Sequence, residues 1–154
     1  MKSEDRLEMK DLIPNPILIK NKNNIDNDNY SIWAFGDNSD LLLELVMLGE
    51  KTATSSLYML YNNEKLPKEG EYNIILNSKN EAKCITKTTK VYLKKFGEVS
   101  SEHAYKEGEG DKSLSYWSEV HERFFNECLA SYNKKITLNY LVVCEEFELV
   151  HKIN

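Results

Sequence analysis

The sequence predicts an α+β fold, in which a small mixed or antiparallel β-barrel is flanked by helices. Segments rich in β-branched and aromatic residues lie mostly next to one another along the chain, a pattern typical of strands that pair in antiparallel fashion. Segments with hydrophobic residues at helical spacing are inserted between them. A sheet of this kind can close into a small barrel. The chain of 154 residues is long enough for one domain with a real core.

The N-terminal residues, 1–30, are predicted to form a loosely structured extension, followed by a single domain at 31–154. Pro14 and Pro16 exclude a helix around them, because proline lacks a backbone N–H and clashes with the preceding turn. The run at 21–29 consists mainly of asparagine and aspartate, which favour turns.

The first helix is predicted from leucine and valine residues that recur at helical spacing over residues 41–48. Asn38 or Ser39 can cap its N-terminus, and Gly49 is a typical helix stop. The other elements follow from similar patterns. They are, in chain order, a short helix near 57–62, a strand at 72–76, a hairpin turn at 77–80, a long strand at 82–93, a helix over 103–106 capped by Ser100 or Ser101, a long helix from Ser113 to about Ser131, and a closing strand at 137–150.

The segment Gly49–Thr54 places a lysine and a threonine hydroxyl where the chain turns after a helix. A lysine in a partly dry pocket has a lowered pKa and can take a proton from a hydroxyl group or from water. The plainer alternative is a helix C-cap followed by a solvated loop at 50–56, because glycine followed by polar residues is common at helix ends. Sequence chemistry alone favours this plainer alternative.

The segment Glu107–Asp111 alternates three carboxylates with two glycines. Folding does not favour such a run, because glycine costs ordering entropy and neighbouring carboxylates repel unless a cation or hydrogen-bond donor meets them. An EF-hand is excluded, since its required glycine would fall on Lys112 and its bidentate glutamate on Ser118. A solvated acidic turn remains an alternative, with Asp111 favouring the next helix N-terminus.

Several common kinds of site are excluded by missing motifs. The histidines at 103, 121 and 151 have no metal-ligand spacing, and His121 is expected to be a packed or hydrogen-bonded structural residue. The sequence has no P-loop and no dinucleotide-binding glycine motif. The three cysteines are far apart and include no CxxC pair, which indicates buried free thiols. No metal or other cofactor is therefore expected.

Charge and aromatic content limit the classes of partner. The net charge of −5 disfavours a large surface for duplex DNA, although a small basic pocket stays compatible with it. Trp33, Phe35, Tyr58 and Trp117 can stack on a base, but most of these rings are expected in the core. Trp33, beside a Gly-Asp turn, is the least typical of a core residue. The charged first residues and the lack of a long apolar run indicate no signal peptide and no membrane span, so a cytoplasmic location is expected.

Taken together, the motifs resemble those of an ASCH-domain protein over roughly residues 31–150. The resemblance implies a PUA-like fold, which is a small β-barrel with flanking helices, and an association with RNA. The matching motifs are Trp33–Asp37, Gly49–Thr54, Pro67–Tyr72, Glu107–Asp111, Tyr116 and Trp117 with His121, and Val143–Phe147.

The resemblance also implies candidate chemistry. Some members are described as single-strand ribonucleases, and some small ones as amidohydrolases that remove acyl groups from N4-acylated cytidine. The G-x-K-x-x-T match places the amidohydrolase roles on Lys51 as base and Thr54 as nucleophile, with Glu107 orienting the lysine or protonating the leaving amine. The small amidohydrolases lack the glycine-rich acidic loop, so Glu109 is an alternative to Glu107.

The expected partner is RNA or a modified nucleoside or nucleotide. A noncatalytic RNA-binding module and a single-strand ribonuclease stay open beside the amidohydrolase. Residues expected to contact a substrate are Trp33, Gly49, Thr52, Ser55, Glu109, Asp111 and Trp117.

Overall fold

The computed structural model describes residues 30–153, which contain five strands and three α-helices. The strands are β1 (Tyr30–Ala34), β2 (Ala53–Leu57), β3 (Tyr72–Leu76), β4 (Ala82–Lys95) and β5 (Leu141–Lys152). The helices are α1 (Ser39–Met47), α2 (Ser101–Glu107) and α3 (Leu114–Leu129), with short 3₁₀ helices at Tyr58–Tyr61, Phe96–Glu98 and Ala130–Tyr132. The predictions for residues 1–29, including the loosely structured extension and the turn-rich run at 21–29, lie outside the described residues.

The five strands form one mixed sheet in the order β1-β3-β4-β5-β2. β1 runs parallel to β3, and every other neighbouring pair is antiparallel. The register between β4 and β5 shifts twice, and such irregularities bend and twist long strands. The sheet curls into a half-barrel with the helices packed against it, which confirms the predicted α+β class.

The largest difference from the predicted elements is β2. Residues 50–56 were expected to form a solvated loop, but Ala53–Leu57 is an edge strand that pairs with β5, and all five of its residues are buried. The hydroxyl groups are accommodated because buried polar partners face them: Ser56 Oγ lies 2.8 Å from the Tyr61 hydroxyl. Pairing with β5 therefore makes this segment a strand, although its small polar residues are typical of a loop.

The other predicted elements need smaller adjustments. The strand predicted at 72–76 matches β3, and Ser113 caps α3 by accepting a hydrogen bond from the Tyr116 backbone at 3.0 Å. The closing strand begins at Leu141 rather than at residue 137, because residues 137–140 form a turn closed by Tyr140 N–H and the Thr137 carbonyl at 3.3 Å. Within residues 30–153, no helix combines the length and the apolar character needed to cross a membrane.

In the described part of the chain, the buried hydrophobic residues form three clusters, one of them made by residues of β1, β3 and β4. α1 covers a cluster that includes Trp33, Val46 and Phe147, whereas α2 and α3 cover another that includes Trp117 and Phe125. The start of β2 lies at the edge of the sheet, where residues of α1 and α3 approach each other around one cavity.

Candidate functional site

A cavity of about 110 Å³ lies between the β1–α1 loop, α1, the start of β2 and α3. Its walls combine aliphatic and aromatic side chains with a group of charged residues. The four residues Lys51, Thr54, Glu107 and Glu109, all expected at the site from the sequence, line it. The other lining residues are Phe35, Gly36, Asp37, Asn38, Leu41, Leu42, Leu45, Gly110, Tyr116, Val120, His121, Arg123 and Phe124.

The C-terminus of α1 positions Lys51. Gly49 adopts a left-handed conformation with φ of +81°, which reverses the chain after the helix. The backbone N–H groups of Glu50 and Lys51 then donate to the Leu45 carbonyl, at 3.0 and 3.1 Å. This local geometry turns the chain from α1 into β2 and carries the Lys51 side chain into the cavity wall. Gly49 itself does not line the cavity.

The Lys51 ammonium is almost completely buried, with 1% of the residue exposed. Its Nζ lies 3.2 Å from Oε1 of Glu107, 3.4 Å from the Glu107 carbonyl oxygen and 2.9 Å from Oε2 of Glu109. An ammonium group has three N–H donors, so these three acceptors match its full capacity. The face of the Phe35 ring lies 5.5 Å away and adds a cation–π contact.

The two carboxylates keep Lys51 charged. Burial by itself lowers the pKa of Lys51, but the charges of Glu107 and Glu109, together with their hydrogen bonds, raise that pKa above its ordinary value of 10.5. The expectation from the sequence was a lysine with a lowered pKa. In the structure the pKa of Lys51 is raised instead, because two carboxylates surround the lysine where the sequence-based expectation had assumed none.

Glu107 is the centre of a buried hydrogen-bond network. Its Oε2 accepts from Ser55 Oγ at 2.7 Å, Trp117 Nε1 at 2.7 Å and His103 Nε2 at 2.8 Å. Its Oε1 faces Lys51, and Nε2 of His121 lies 3.6 Å from it. A carboxylate offers about four acceptor positions, so this one is close to saturated.

The same network holds Glu107 ionised. Burial by itself raises its pKa, but the charge of Lys51, the charge of His121 and the hydrogen bond from His103 lower that pKa well below 4.5. Glu107 is also the last residue of α2 rather than part of a loop, and 1% of it is exposed. Its position one helical turn after His103 explains their contact, because residues four apart share a helix face.

Steric crowding requires glycine at both glycine positions of the acidic segment. Gly108 has a φ of +73°, and a Cβ atom there would overlap the carbonyl oxygen of Glu50. Gly110 has a φ of +58°, and a Cβ atom there would lie 2.5 Å from the Tyr116 ring. The backbone of the segment therefore passes directly against Glu50 and Lys51, just before β2, which brings Glu109 to Lys51. Within the part of the chain that the structure describes, no cluster of side chains is suited to holding a metal ion.

Two residues expected at the site lie behind the cavity wall. Ser55 and Trp117 do not line the cavity but donate hydrogen bonds to Glu107. The Trp117 indole is buried and stacks on the His121 ring, with centroids 4.3 Å apart. Trp117 therefore orients Glu107 and His121 instead of offering its own face to a ligand.

Three further residues expected to contact substrate lie away from the cavity lining. Trp33 is fully buried, and its Nε1 donates to Asn73 Oδ1 at 3.0 Å, so its ring belongs to the core. Thr52 donates its backbone N–H to the Lys106 carbonyl at 2.7 Å, which ties β2 to the end of α2. Asp111 accepts the Ser113 backbone N–H at 2.9 Å and so stabilises the entry to α3.

Sequence reasoning missed two histidines and one arginine. His121 lines the cavity, and His103 contacts Glu107 from α2, although neither was assigned a place at the site. The available signal was the spacing of four residues between His103 and Glu107, the second of which directly follows the helix predicted over 103–106. Arg123 also lines the cavity, and it follows Tyr116 and Val120 along one face of α3. None of the three cysteines, all within the described residues, lines the cavity, and burial raises the pKa of Cys84 and of Cys144 to about 12.

Comparison with known proteins identifies similar folds. The family model for the ASCH domain matches residues 31–151. A solved ASCH domain from Lactobacillus crispatus JV V101 superposes with a TM-score of 0.82 at 27% identity, covering 94% of this chain and 99% of its own. A solved protein from Enterococcus faecalis V583 superposes with a TM-score of 0.81 at 36% identity, covering 94% and 91%. No curated protein matches the chain.

Proposed function

The chain belongs to the ASCH domain family, and we propose that its cavity binds a nucleoside-type ligand and hydrolyses an exocyclic amide on the base. The observation that carries this proposal is the buried group of Lys51, Glu107 and Glu109 at the wall of a cavity that Thr54 also lines. Buried charged groups that converge in a cleft are a common mark of a functional site.

The shape and lining of the cavity favour a single planar ring. A volume of about 110 Å³ is small beside the roughly 300–1,000 Å³ of pockets for drug-sized ligands. Phe35, Leu41 and Phe124 supply apolar surface for the faces of a ring, whereas the charged groups can meet the polar edge. This division suits one nucleobase better than a folded or double-stranded nucleic acid.

The proposed reaction is an acyl transfer through Thr54. Thr54 Oγ1 attacks the carbonyl carbon of the amide, and its proton passes to a neutral Lys51 amine. The C–N bond then breaks, the departing nitrogen takes that proton from Lys51, and the acyl group remains on Thr54 as an ester. Water hydrolyses the ester, which releases the carboxylic acid and restores the hydroxyl group.

For Lys51 to act as a base, one of its counterions must leave. Glu109 is the candidate, because its side chain is 18% exposed whereas that of Glu107 is 2% exposed. A substrate carbonyl that takes the place of Glu109 would remove one negative charge from the lysine and lower its pKa. Binding of the substrate would therefore prepare the base.

Glu107 is assigned the role of orienting Lys51. Of the two roles that the family resemblance offers, protonation of the leaving amine needs a carboxylic acid, whereas the low pKa and the surrounding donors keep Glu107 ionised. Its contacts with Ser55, His103 and Trp117 fix the carboxylate in one position. The lysine it holds is fixed in turn.

The test is hydrolysis of N4-acetylcytidine by the purified protein, followed by chromatographic detection of cytidine. Thr54→Ala and Lys51→Met should each reduce the rate by at least about 10³-fold. Thr52→Ala is the matched control, since it removes a nearby threonine hydroxyl that does not line the cavity, and it should retain most activity. Activity that survives Thr54→Ala would rule out the threonine nucleophile.

The raised pKa of Lys51 favours a second candidate, a noncatalytic module that binds single-stranded RNA. A permanently charged lysine is a poor base. A titration with short single-stranded RNA at low and high salt tests this function, and binding should weaken as the salt concentration rises. Cleavage of single-stranded RNA is the third possibility. It is tested by measuring the RNA-cleaving activity per amount of protein, which should stay constant when the protein is purified again.

A further inference from the structure

We propose that Arg123 forms a phosphate subsite at the mouth of the cavity, so that the preferred ligand is a nucleoside monophosphate rather than a free nucleoside. The inference rests on the proposed function only in placing the base of the ligand inside the cavity. Beyond that function, it assigns a second contact, between Arg123 and a phosphate group of the ligand. This contact lies outside the group of residues around Lys51.

The inner end of the cavity is unsuited to a phosphate. Lys51 contributes one positive charge there, against the two negative charges of Glu107 and Glu109. Lys51 is also 1% exposed, and all three of its N–H donors are directed at these glutamates. An anion placed at this end would face both carboxylates and find every Lys51 donor already engaged, so the base rather than the phosphate occupies it.

Arg123 offers the opposite environment. It lines the same cavity from α3 and is exposed to solvent. It is the only arginine in residues 30–153, although lysines are plentiful there. A guanidinium is always charged and presents a planar fork of donors that matches the oxygens of a phosphate, which makes it well suited to this contact.

The surroundings of Arg123 leave its donors available. Glu119 and Glu127 lie four residues before and after it on α3, where helical ion pairs usually form. Neither glutamate pairs with it, and within the described residues its guanidinium makes no ion pair. The side chain borders the cavity instead of bridging along the helix.

A second charged residue of the cavity lining supports a sugar between base and phosphate. Asp37, in the β1–α1 loop, also lines the cavity. A carboxylate accepts hydrogen bonds from ribose hydroxyl groups but repels a phosphate. The two charges therefore favour one orientation, with the ribose hydroxyls toward Asp37 and the phosphate toward Arg123. A solvated arginine with no ligand is the plain alternative that the experiment must exclude.

The experiment compares cytidine, cytidine 5′-monophosphate and cytidine 3′-monophosphate by calorimetric titration of the full chain at low salt. At least one monophosphate should bind the wild-type protein about tenfold more tightly than cytidine does. Arg123→Ala should reduce this preference to less than about twofold and leave the affinity for cytidine itself nearly unchanged. Arg123→Lys should retain part of the preference, because it keeps the charge but loses the fork.

Lys135→Ala is the matched control, since it removes one exposed positive charge outside the cavity lining and should leave the preference intact. Equal affinities for all three ligands, or a preference that persists in Arg123→Ala, would overturn the subsite while leaving the nucleoside pocket standing. A wild-type protein that binds none of the three would instead overturn the nucleoside pocket, and the subsite with it.

Discussion

Lys51 lies between two carboxylates whose surroundings differ sharply. Glu107 ends α2, is buried, and accepts hydrogen bonds from Ser55, His103 and Trp117 besides Lys51. Glu109 lies beyond the helix, its side chain is 18% exposed, and its carboxylate is directed at Lys51 in the cavity. The first carboxylate is fixed by many donors, whereas the second is held by the lysine and faces the space that a ligand would enter.

This difference assigns a structural role to Glu107 and a ligand-exchange role to Glu109, which the alternating acids of the sequence do not distinguish. A carboxylate with many buried donors is part of the folded framework, because removing it leaves each donor without a partner. A carboxylate with one partner at the edge of a cavity can be exchanged for a ligand atom. The predictions below test whether the two glutamates divide in this way.

The largest effect is expected from neutralising Glu107. Glu107→Gln keeps the shape of the side chain but turns an NH₂ group toward donors and removes a buried counterion of Lys51. The free energy of unfolding, measured by urea denaturation, should fall by about 3–5 kcal/mol. Glu109→Gln is the matched control, and it should cost no more than about 1 kcal/mol because the pair is partly exposed. Equal losses for the two variants would contradict the division of roles.

The next largest effect concerns the glycine that brings Glu109 to Lys51. Gly108→Ala combines an unfavourable φ with an overlap on the Glu50 carbonyl oxygen, so it should destabilise the protein by about 2–4 kcal/mol. Gly49→Ala is the control, because Gly49 has a similar φ of +81° and nothing lies within 4 Å of an added Cβ. That variant should cost about 1–2 kcal/mol in the same denaturation experiment. If both cost the same, the close backbone approach contributes nothing.

Much of this fold could be predicted from the sequence because its elements follow local rules. β3 matches its predicted bounds, and the Ser100 and Ser113 caps lie at the beginnings of α2 and α3. β2 could not be predicted, since its small hydroxyl residues become a strand only through pairing with β5 and through distant hydrogen-bond partners. Pairing between residues about 90 positions apart leaves no local pattern.

The candidate site divides along the same line. Lys51, Thr54, Glu107 and Glu109 were assigned from the resemblance to ASCH-domain motifs, and all four line one cavity. The roles of His103, Trp117 and Arg123 depend on how α2 and α3 pack, which spacing does not give. The direction of the Lys51 pKa could not be predicted either, because it depends on how many counterions reach the ammonium group.

The third effect is the pH dependence of stability. The pKa of Glu107 is lowered in the folded protein, so the unfolded chain binds more protons as the pH falls below about 4.5. Its contribution is therefore present above that pH and is lost as the pH falls toward the folded-state pKa. In Lys51→Met the charge that contributes most to this lowering is gone, and the loss of stability between pH 6 and pH 3 should be smaller than in the wild type. Equally steep pH curves would show that Lys51 does not set the pKa of Glu107.

The smallest effect, and the most direct one on function, is the pH dependence of hydrolysis in Glu109→Gln. With one counterion removed, the pKa of Lys51 should be lower than in the wild type, because less negative charge opposes its deprotonation. If Lys51 is the base, the rising limb of kcat/KM against pH, which reports the free enzyme, should move to lower pH in this variant, while Glu127→Gln, at an exposed glutamate on α3, should leave it in place. The limb of kcat, which reports the substrate complex, should stay where it is in the wild type, because the substrate has already displaced Glu109 there. An unmoved limb of kcat/KM in Glu109→Gln would mean that another group is the base.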